Sequence, residues 1–191
     1  MSTTQPTTTT DLAPGLTAGT WAIDPAHSEV AFTVRHLMTK VRGVFQEFEG
    51  AIVVSEQPES SSVNVTIQTN SVNTRNEQRD NHLRSSDFFG IEAHPALVFS
   101  ATGLRVTGAE TFVVAGDLTI KGVTKPVELE AEFLGVDTDA YGATRAGFEA
   151  STSINRKDWG VDSNVPLGGD KMLIGDQVTI QLSVQGVRQD S

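Results

Sequence analysis

The sequence contains no cysteine, only one tyrosine and two tryptophans, and far fewer basic residues than acidic ones. Without cysteine the chain forms no disulfide and offers no thiolate for catalysis or for metal binding. Its formal net charge of −10 repels the phosphate backbone of nucleic acids and anionic lipid head groups alike. We therefore expect no nucleic-acid partner, and we expect any lipid partner to be held by burial of its apolar tail.

Long apolar runs are missing as well. No stretch of about 18 apolar residues occurs, so no segment is expected to insert stably in a membrane. The N-terminus, MSTTQPTTTTDLAPGLTAG, has neither a basic start nor an apolar core, which predicts no secretory signal and a cytoplasmic location. Residues 1–18 are rich in threonine and poor in apolar surface, which predicts a disordered tail. Residues 19–188 are then expected to form one globular domain.

From Gly19 onward, apolar and polar residues alternate with a period of two, which is typical of β-strands with one buried face. Eight strands are predicted after a short lead-in at 21–23, namely 28–37, 43–54, 61–70, 96–106, 110–120, 124–136, 143–154 and 176–187. Antiparallel strands with one dry face are expected to close into an eight-stranded, lipocalin-like β-barrel. The interior of such a barrel holds packed side chains or one small ligand. The predicted fold class is therefore all-β.

The alternation stops between Asn73 and Gly90, where charged residues crowd around a few apolar ones. A short helical segment is predicted near residues 75–89, with Ser85 or Ser86 as its N-cap and Asp87 in its first turn. Connections of this length in a barrel often cover its mouth.

Several motifs follow one another along most of the predicted domain. They are Trp21-Ala-Ile-Asp24-Pro-Ala-His27-Ser28, Phe32-x-Val34-x-His36, Gly43-x-Phe45-x-x-Phe48-x-Gly50, Arg79-Asp80-x-His82-Leu83-x-Ser85-x-Asp87-Phe88-Phe89, His94-Pro95-x-x-x-Phe99-Ser100, Gly116-x-Leu118-Thr119-Ile120-x-Gly122-x-Thr124-Lys125-Pro126-Val127, Gly147-Phe148 and Ile154-Asn155-Arg156-x-Asp158-Trp159-Gly160. In this order they resemble the YceI-like family of polyisoprenoid-binding or lipid-binding proteins. The resemblance implies an extended eight-stranded barrel with a long apolar pocket. It also implies a ligand such as a polyprenyl chain, an isoprenoid quinone or a fatty-acyl derivative.

The inward-facing positions of the predicted strands are the candidate ligand-binding residues. They are Phe32, Val34, His36, Val65, Ile67, Phe99, Phe112, Val114, Leu129, Phe133, Phe148, Ile154, Ile180 and Leu182. Two arrangements are compatible with the pattern: a tunnel that these side chains line, or a core in which they fill the interior. Small residues on the dry faces, Gly116, Ala131, Ala150 and Thr152, favour the tunnel, and so does the family resemblance.

The four histidines carry no compact metal-binding signature, so no metal site and no cofactor are predicted. His36 falls on the inward face and is the candidate for a polar contact with a ligand. Asp24 and His27 allow an acid–base pair, but a hydrogen-bonded turn at the start of a strand is the favoured interpretation. No catalytic residue is assigned on this basis.

Three arginines, at positions 35, 79 and 84, are candidates for binding a phosphate or quinone head group. The alternative is that they form ion pairs with the nearby acidic residues Glu77, Asp80 and Asp87.

The resemblance and the strand pattern together predict a binding protein that transports or stores an apolar lipid, and not an enzyme. One alternative is a small barrel enzyme, an isomerase or cyclase, acting on an apolar substrate with His36 or His27 as its base. Another is a self-associating stress protein with an incidental pocket. A homodimer is expected because symmetric dimers are the commonest oligomers of soluble proteins.

Overall fold

Alternating apolar and polar residues form antiparallel strands throughout the protein, for which the computed structural model describes residues 12–190. The strands are β1 Gly19–Ile23, β2 Glu29–His36, β3 Thr39–Phe45, β4 Phe48–Val54, β5 Ser62–Gln68, β6 Val72–Asn73, β7 Ala96–Val106, β8 Thr111–Ile120, β9 Val123–Thr138, β10 Thr144–Asn155, β11 Pro166–Gly168, β12 Lys171–Met172 and β13 Ile174–Arg188. One α-helix, α1 Glu77–Arg84, and four 3₁₀ turns, Pro25–His27, Pro58–Ser60, Thr69–Ser71 and Arg156–Trp159, connect them.

The main sheet closes on itself. Its strand order is β1-β4-β5-β7-β8-β9-β10-β13-β2-β3-β6, and β13 pairs with β1 as well as with β2. β1 and β2 lie end to end along β13 and share one strand position of the ring. β4 and β3, which pair with β1 and β2, share the next position, so the ring has eight strand positions. The predicted all-β, eight-stranded antiparallel barrel is confirmed. Closure leaves the long strands without free edges that could pair with other chains.

The predicted alternation places the core inside the ring. In β9, the side chains of Val127, Leu129, Ala131 and Phe133 are buried, and the three intervening glutamates are exposed. A large apolar cluster, which includes Trp159, lies mainly in the half of the barrel that contains β2, β3 and the start of β9. A smaller cluster around Trp21 and Phe133 lies toward the opposite end.

The helix lies within the predicted segment 75–89, at Glu77–Arg84, but its N-cap is not the predicted one. Asn76 is the N-cap, because its side chain accepts a hydrogen bond from the backbone N–H of Arg79 at 2.9 Å. Ser85 lies at the C-cap, where its hydroxyl donates to the carbonyl oxygen of His82 at 2.6 Å. The prediction of Ser85 or Ser86 as N-cap is therefore wrong. Asparagine is as good an N-cap as serine, and Asn76 directly precedes the first acidic turn of the helix.

Most of the predicted tail, residues 1–18, lies outside the described residues. Its last part, residues 12–18, contacts the barrel: Leu12, Ala13 and Leu16 pack against the smaller apolar cluster. The indole N–H of Trp21 donates to the carbonyl oxygen of Thr17 at 3.0 Å. These contacts differ from the disorder predicted for the segment, because three apolar side chains suffice to cover one end of the barrel.

At the end of the barrel that holds the smaller apolar cluster, Asp24 links the turn after β1 to the start of β10. Its Oδ1 atom accepts from the backbone N–H of Ala26, and its Oδ2 atom lies 2.7 Å from both His27 Nδ1 and Arg145 Nη1. Arg145 also donates to Asp139 through Nε at 2.7 Å. Hydrogen bonds from Arg145, and next from His27, lower the pKa of Asp24 to about 2 from 3.8.

We expect the Asp24→Asn variant to be less stable than the natural protein at neutral pH, by about 1–2 kcal/mol after allowance for solvent screening. Because the pKa of Asp24 is lowered by folding, its contribution is present above the unfolded value near 4. The contribution is lost as the pH falls toward about 2. Urea unfolding at a series of pH values measures this. The variant should converge with the natural protein in acid, whereas Asp117→Asn, at an exposed position, should not differ from it at any pH. A deficit that stays constant down to the lowest pH would contradict the assignment.

Candidate ligand-binding cavity

The interior of the barrel is not filled by its own side chains. A main cavity of about 450 Å³ lies among β2, β3, β5, β7–β10 and β13, below α1. This volume falls within the roughly 300–1,000 Å³ of typical small-molecule sites. Of the 34 residues that line it, 28 are apolar. Of the two arrangements that the sequence left open, the structure has the one with interior space.

A second cavity of about 160 Å³ lies toward the opposite end, and it is also apolar. Six residues line both cavities and form the wall that they share, namely Ile23, Val65, Phe99, Leu129, Leu182 and Val184. The interior therefore has two apolar compartments along the barrel axis, of which the main cavity is the larger.

The structure places the fourteen candidate residues in these two compartments. Those lining the main cavity are Phe32, Val34, His36, Val65, Ile67, Phe99, Leu129, Ile154, Ile180 and Leu182. Those lining only the second cavity are Phe112, Val114, Phe133 and Phe148. Strand alternation thus identified the inward face, but it could not tell that the interior is divided.

The small residues act differently from one another. Thr152 lines the main cavity, and Ala131 and Ala150 line the second. Gly116 lines neither: a Cβ atom there would lie 2.7 Å from Cζ of Phe99. The glycine therefore admits the Phe99 ring, and its expected role in leaving room for a ligand is wrong.

The segment between β6 and β7 covers one end of the main cavity with side chains that sequence reasoning did not assign. Leu83, Phe88 and Phe89 line the cavity from this side. Phe89 stacks edge-on against Phe45 with ring centroids 5.9 Å apart, and Phe45 lies 5.6 Å from Phe32. The pair Phe88-Phe89 after a charged stretch was the signal in the sequence.

A buried polar cluster holds this covering segment in place. Asp80 is buried and accepts hydrogen bonds from the backbone N–H and the hydroxyl of Thr74, at 2.9 and 2.6 Å. Arg79 donates to the hydroxyl and the carbonyl oxygen of Thr74 at 2.7 and 2.8 Å. These hydrogen bonds satisfy Asp80 Oδ1 and both Thr74 oxygens within the fold, and they fix the start of α1 over the cavity.

Arg156 is the charged residue most deeply placed on the wall of the main cavity, and it is 6% exposed. It donates to the carbonyl oxygens of Gly175, Val161 and Ser163 at 2.9, 2.6 and 3.0 Å. Within residues 12–190 its Nη2 atom has no hydrogen-bond partner, and the nearest carboxylate oxygen, Asp176 Oδ1, is 3.9 Å away. Burial lowers the pKa of this guanidinium.

The three arginines that are candidates for binding a head group donate to backbone carbonyls in this structure. Arg35 donates to the carbonyl oxygens of Leu37 and Met172, at 2.7 and 3.3 Å. Arg84 donates to those of Asn70 and Val72, at 3.0 and 3.1 Å, and Arg79 binds Thr74 as described. The alternative of ion pairs with Glu77, Asp80 and Asp87 is wrong for the described part of the chain. Loop carbonyls near the ends of the strands compete for these guanidinium groups, and a sequence does not reveal them.

The histidines lie apart from one another. His36 lines the main cavity, as does His82, whose Nε2 atom lies 3.0 Å from Asp87 Oδ2. Asp24 and His27 lie outside the lining of both cavities, at the far end of the barrel. Within residues 12–190 no three His, Cys, Asp or Glu side chains are grouped as metal ligands.

None of the helices in this range has the length and apolar character needed to cross a bilayer.

A depression of about 1,430 Å³, larger than either cavity, lies on the outer face of β8, β9, β10 and β13. The three glutamates of β9 and Glu149 line it. An acidic, open surface suits an apolar molecule poorly, so the main cavity is the candidate site.

The model of the YceI-like domain matches residues 21–186, nearly the whole barrel. The chain belongs to the YceI-like family. Among its relatives is a UPF0312 protein of Azotobacter vinelandii, 38% identical over 165 residues, which are 85% of this chain and 83% of the relative. A UPF0312 protein of Photorhabdus laumondii is 40% identical over 165 residues, covering 85% and 82%.

Solved structures have the same fold as this YceI-like protein. Burkholderia cenocepacia BcnA superposes with a TM-score of 0.76 at 20% identity, covering 85% of this chain and 98% of its own. The Campylobacter jejuni YceI protein has a TM-score of 0.69 at 29% identity, covering 82% and 90%. A polyisoprenoid-binding domain from Saccharophagus degradans has a TM-score of 0.67 at 15% identity, covering 91% and 100%. The predicted family is thereby confirmed.

Proposed function

We propose that this YceI-like protein binds one long apolar molecule in the main cavity and transports or stores it. The molecule belongs to the class of polyisoprenoids, isoprenoid quinones or fatty-acyl derivatives. The observation that carries the proposal is the main cavity itself, about 450 Å³ of interior space with 28 apolar residues in its wall. The likeness in fold to a polyisoprenoid-binding domain supports the same class of ligand.

Burial of the chain supplies the affinity. Each CH₂ group moved from water into an apolar wall contributes about 0.8 kcal/mol, so a few isoprene units give a gross gain of roughly 8 kcal/mol or more. Ordering of the ligand reduces this gain, and binding in the micromolar range or tighter results. Of the polar groups in the wall, His36 and His82 are free of the buried hydrogen bonds that hold Arg79 and Arg156, and we assign His36 the contact with a polar end.

Binding fits the cavity better than catalysis does. A barrel isomerase or cyclase needs a base inside the cavity together with a partner that tunes it. His82 has the carboxylate partner Asp87, but both side chains are more than half exposed, which leaves this pair in contact with water. Asp24 and His27 are paired at the other end of the barrel. We therefore propose that the protein is not an enzyme.

Lipid that co-purifies with the protein tests the proposal. Native mass spectrometry of freshly purified protein should show a mass excess that organic extraction removes, and the extract should contain a polyprenyl, quinone or fatty-acyl compound. Protein freed of lipid should bind added farnesol, ubiquinone or palmitate. Preparations that carry no lipid and bind none of the three would overturn the proposal. Loss of binding in His36→Ala would support the assigned polar contact.

The cytoplasmic location and the homodimer stay predictions of the sequence analysis. Cell fractionation checks the location, and light scattering of the purified protein checks the dimer. Neither result bears on whether the main cavity takes a ligand.

A further inference from the structure

The exposed apolar side chains of this protein are concentrated at one end of the barrel. Of the nine large apolar residues exposed among residues 12–190, five lie on the turn between β2 and β3 and on the connection from β10 to β13. These five, Leu37, Met38, Val165, Leu167 and Met172, form what we call the rim patch. Two hydrogen bonds join these segments: Leu37 N–H donates to the carbonyl of Leu173 at 2.7 Å, and Arg35 Nη2 donates to that of Met172 at 3.3 Å.

The turn at the centre of the rim patch has unusual chemistry. Tight turns between strands favour glycine, asparagine or aspartate, because their residues often take a positive φ and face water. Here the two residues are Leu37, with a φ of 56°, and Met38, which is 88% exposed. A bulky residue at positive φ is disfavoured, and exposing the apolar methionine side chain to water does not stabilise the fold. The turn therefore carries apolar residues against local preference, which points to a use outside the folded chain.

The rim patch is continuous with the main cavity. Val165 is exposed and also lines the cavity, and Leu173 and Ile174 line it directly behind the patch. On the other strand of the turn, His36 and Val41 line it as well. An apolar path thus leads from the exposed end of the barrel to the cavity wall.

The charge around the rim patch differs from that of the whole protein. Segments 34–42 and 164–173 contain four basic residues and one acidic residue, Asp170, in a chain with a net charge of −10. Arg42 pairs with Glu29, and Arg35 binds backbone carbonyls. Within the described residues, neither Lys40 nor Lys171 has a carboxylate within 4.0 Å. Asp176, on the neighbouring strand, lies 3.3 Å from Lys157.

We propose that the rim patch docks on the surface of a lipid bilayer that contains anionic lipids, and that the apolar ligand passes there between membrane and cavity. This inference rests on the proposed function, since it supplies the route by which the ligand enters. Surfaces that bind membranes reversibly combine apolar residues, which enter the head-group region, with flanking lysines, which attract anionic lipids. Local positive charge offsets the repulsion that the acidic protein as a whole would meet.

Co-sedimentation with vesicles tests the proposal on the full chain. The natural protein should bind vesicles of phosphatidylcholine with phosphatidylglycerol more strongly than vesicles of phosphatidylcholine alone, and added salt should weaken the binding. The double variant Met38→Asp with Leu167→Asp should bind vesicles at least about tenfold more weakly than the natural protein. The double variant Lys40→Glu with Lys171→Glu should show a loss of the same size. The matched control is Tyr141→Asp with Leu134→Asp. Tyr141 is 97% exposed at the opposite end, and Leu134 is exposed on β9, so vesicle binding should be unchanged.

Mass spectrometry of the same preparations separates this inference from the proposed function. Rim variants that keep their lipid content and lose vesicle binding support the docking surface. A natural protein that carries lipid but does not bind vesicles overturns the docking surface and leaves the proposed function intact. Protein that carries no lipid and binds none of farnesol, ubiquinone and palmitate overturns the proposed function, whatever the vesicles show. Equal loss in the control variant also overturns the docking surface. A change in oligomeric state caused by the rim variants, measured by light scattering, overturns it in favour of a second copy of the chain.

Discussion

Replacing Thr152 by tryptophan is expected to weaken binding of an apolar ligand by about tenfold or more while the barrel stays folded. Thr152 is half-buried on β10, opposite Ile180 of β13, and its side chain lines the main cavity. An indole at this position fills space that the ligand would occupy, and excluding even two or three CH₂ groups costs about 2 kcal/mol of binding. Free space accepts the ring, so we do not expect the strain that follows from enlarging a residue in a packed core.

Titration of lipid-free protein with farnesol and with palmitate measures the effect. The matched control is Ser151→Trp, because Ser151 is the adjacent residue of the same strand and is exposed on the outer face. The control should bind as the natural protein does. If both variants keep full affinity and both remain folded by circular dichroism, the ligand does not occupy the main cavity.

The Arg156→Met variant should lose about 2–4 kcal/mol of the free energy of unfolding. Methionine keeps the apolar stem, but it leaves the carbonyl oxygens of Val161, Ser163 and Gly175 without the donor that they have in the natural protein. Each buried acceptor left without a donor costs about 1–3 kcal/mol. Part of this loss is recovered, because the variant no longer buries a guanidinium whose Nη2 atom is unpartnered among the described residues.

Urea unfolding at neutral pH measures the loss. Arg35→Met is the matched control: Arg35 also donates to two backbone carbonyls, but it is exposed, so water replaces it. Its cost should stay below about 1 kcal/mol. A stability of Arg156→Met equal to that of Arg35→Met would show that the carbonyls of the β10–β13 connection find other donors.

The strands could be predicted because their signal is local. Alternation in 127–133 or 177–184 needs only the neighbouring residues to place one face in the core, and closure of the sheet into a barrel buries these faces without leaving free edges. The same reasoning placed Phe32 and Ile180 on the inner wall. It could not find Leu83, Phe89 or Val165, because these residues reach the cavity through irregular connections that have no period.

The sequence by itself determined the closed antiparallel barrel, the apolar character of its interior and the family to which the chain belongs. Only the tertiary structure decided that the interior has two cavities and that Gly116 makes room for the Phe99 ring. It also decided that Arg156 binds the carbonyls of Val161, Ser163 and Gly175. Polarity follows a residue's type and its neighbours in sequence, whereas a void or a hydrogen bond to a distant carbonyl depends on how remote segments meet in space.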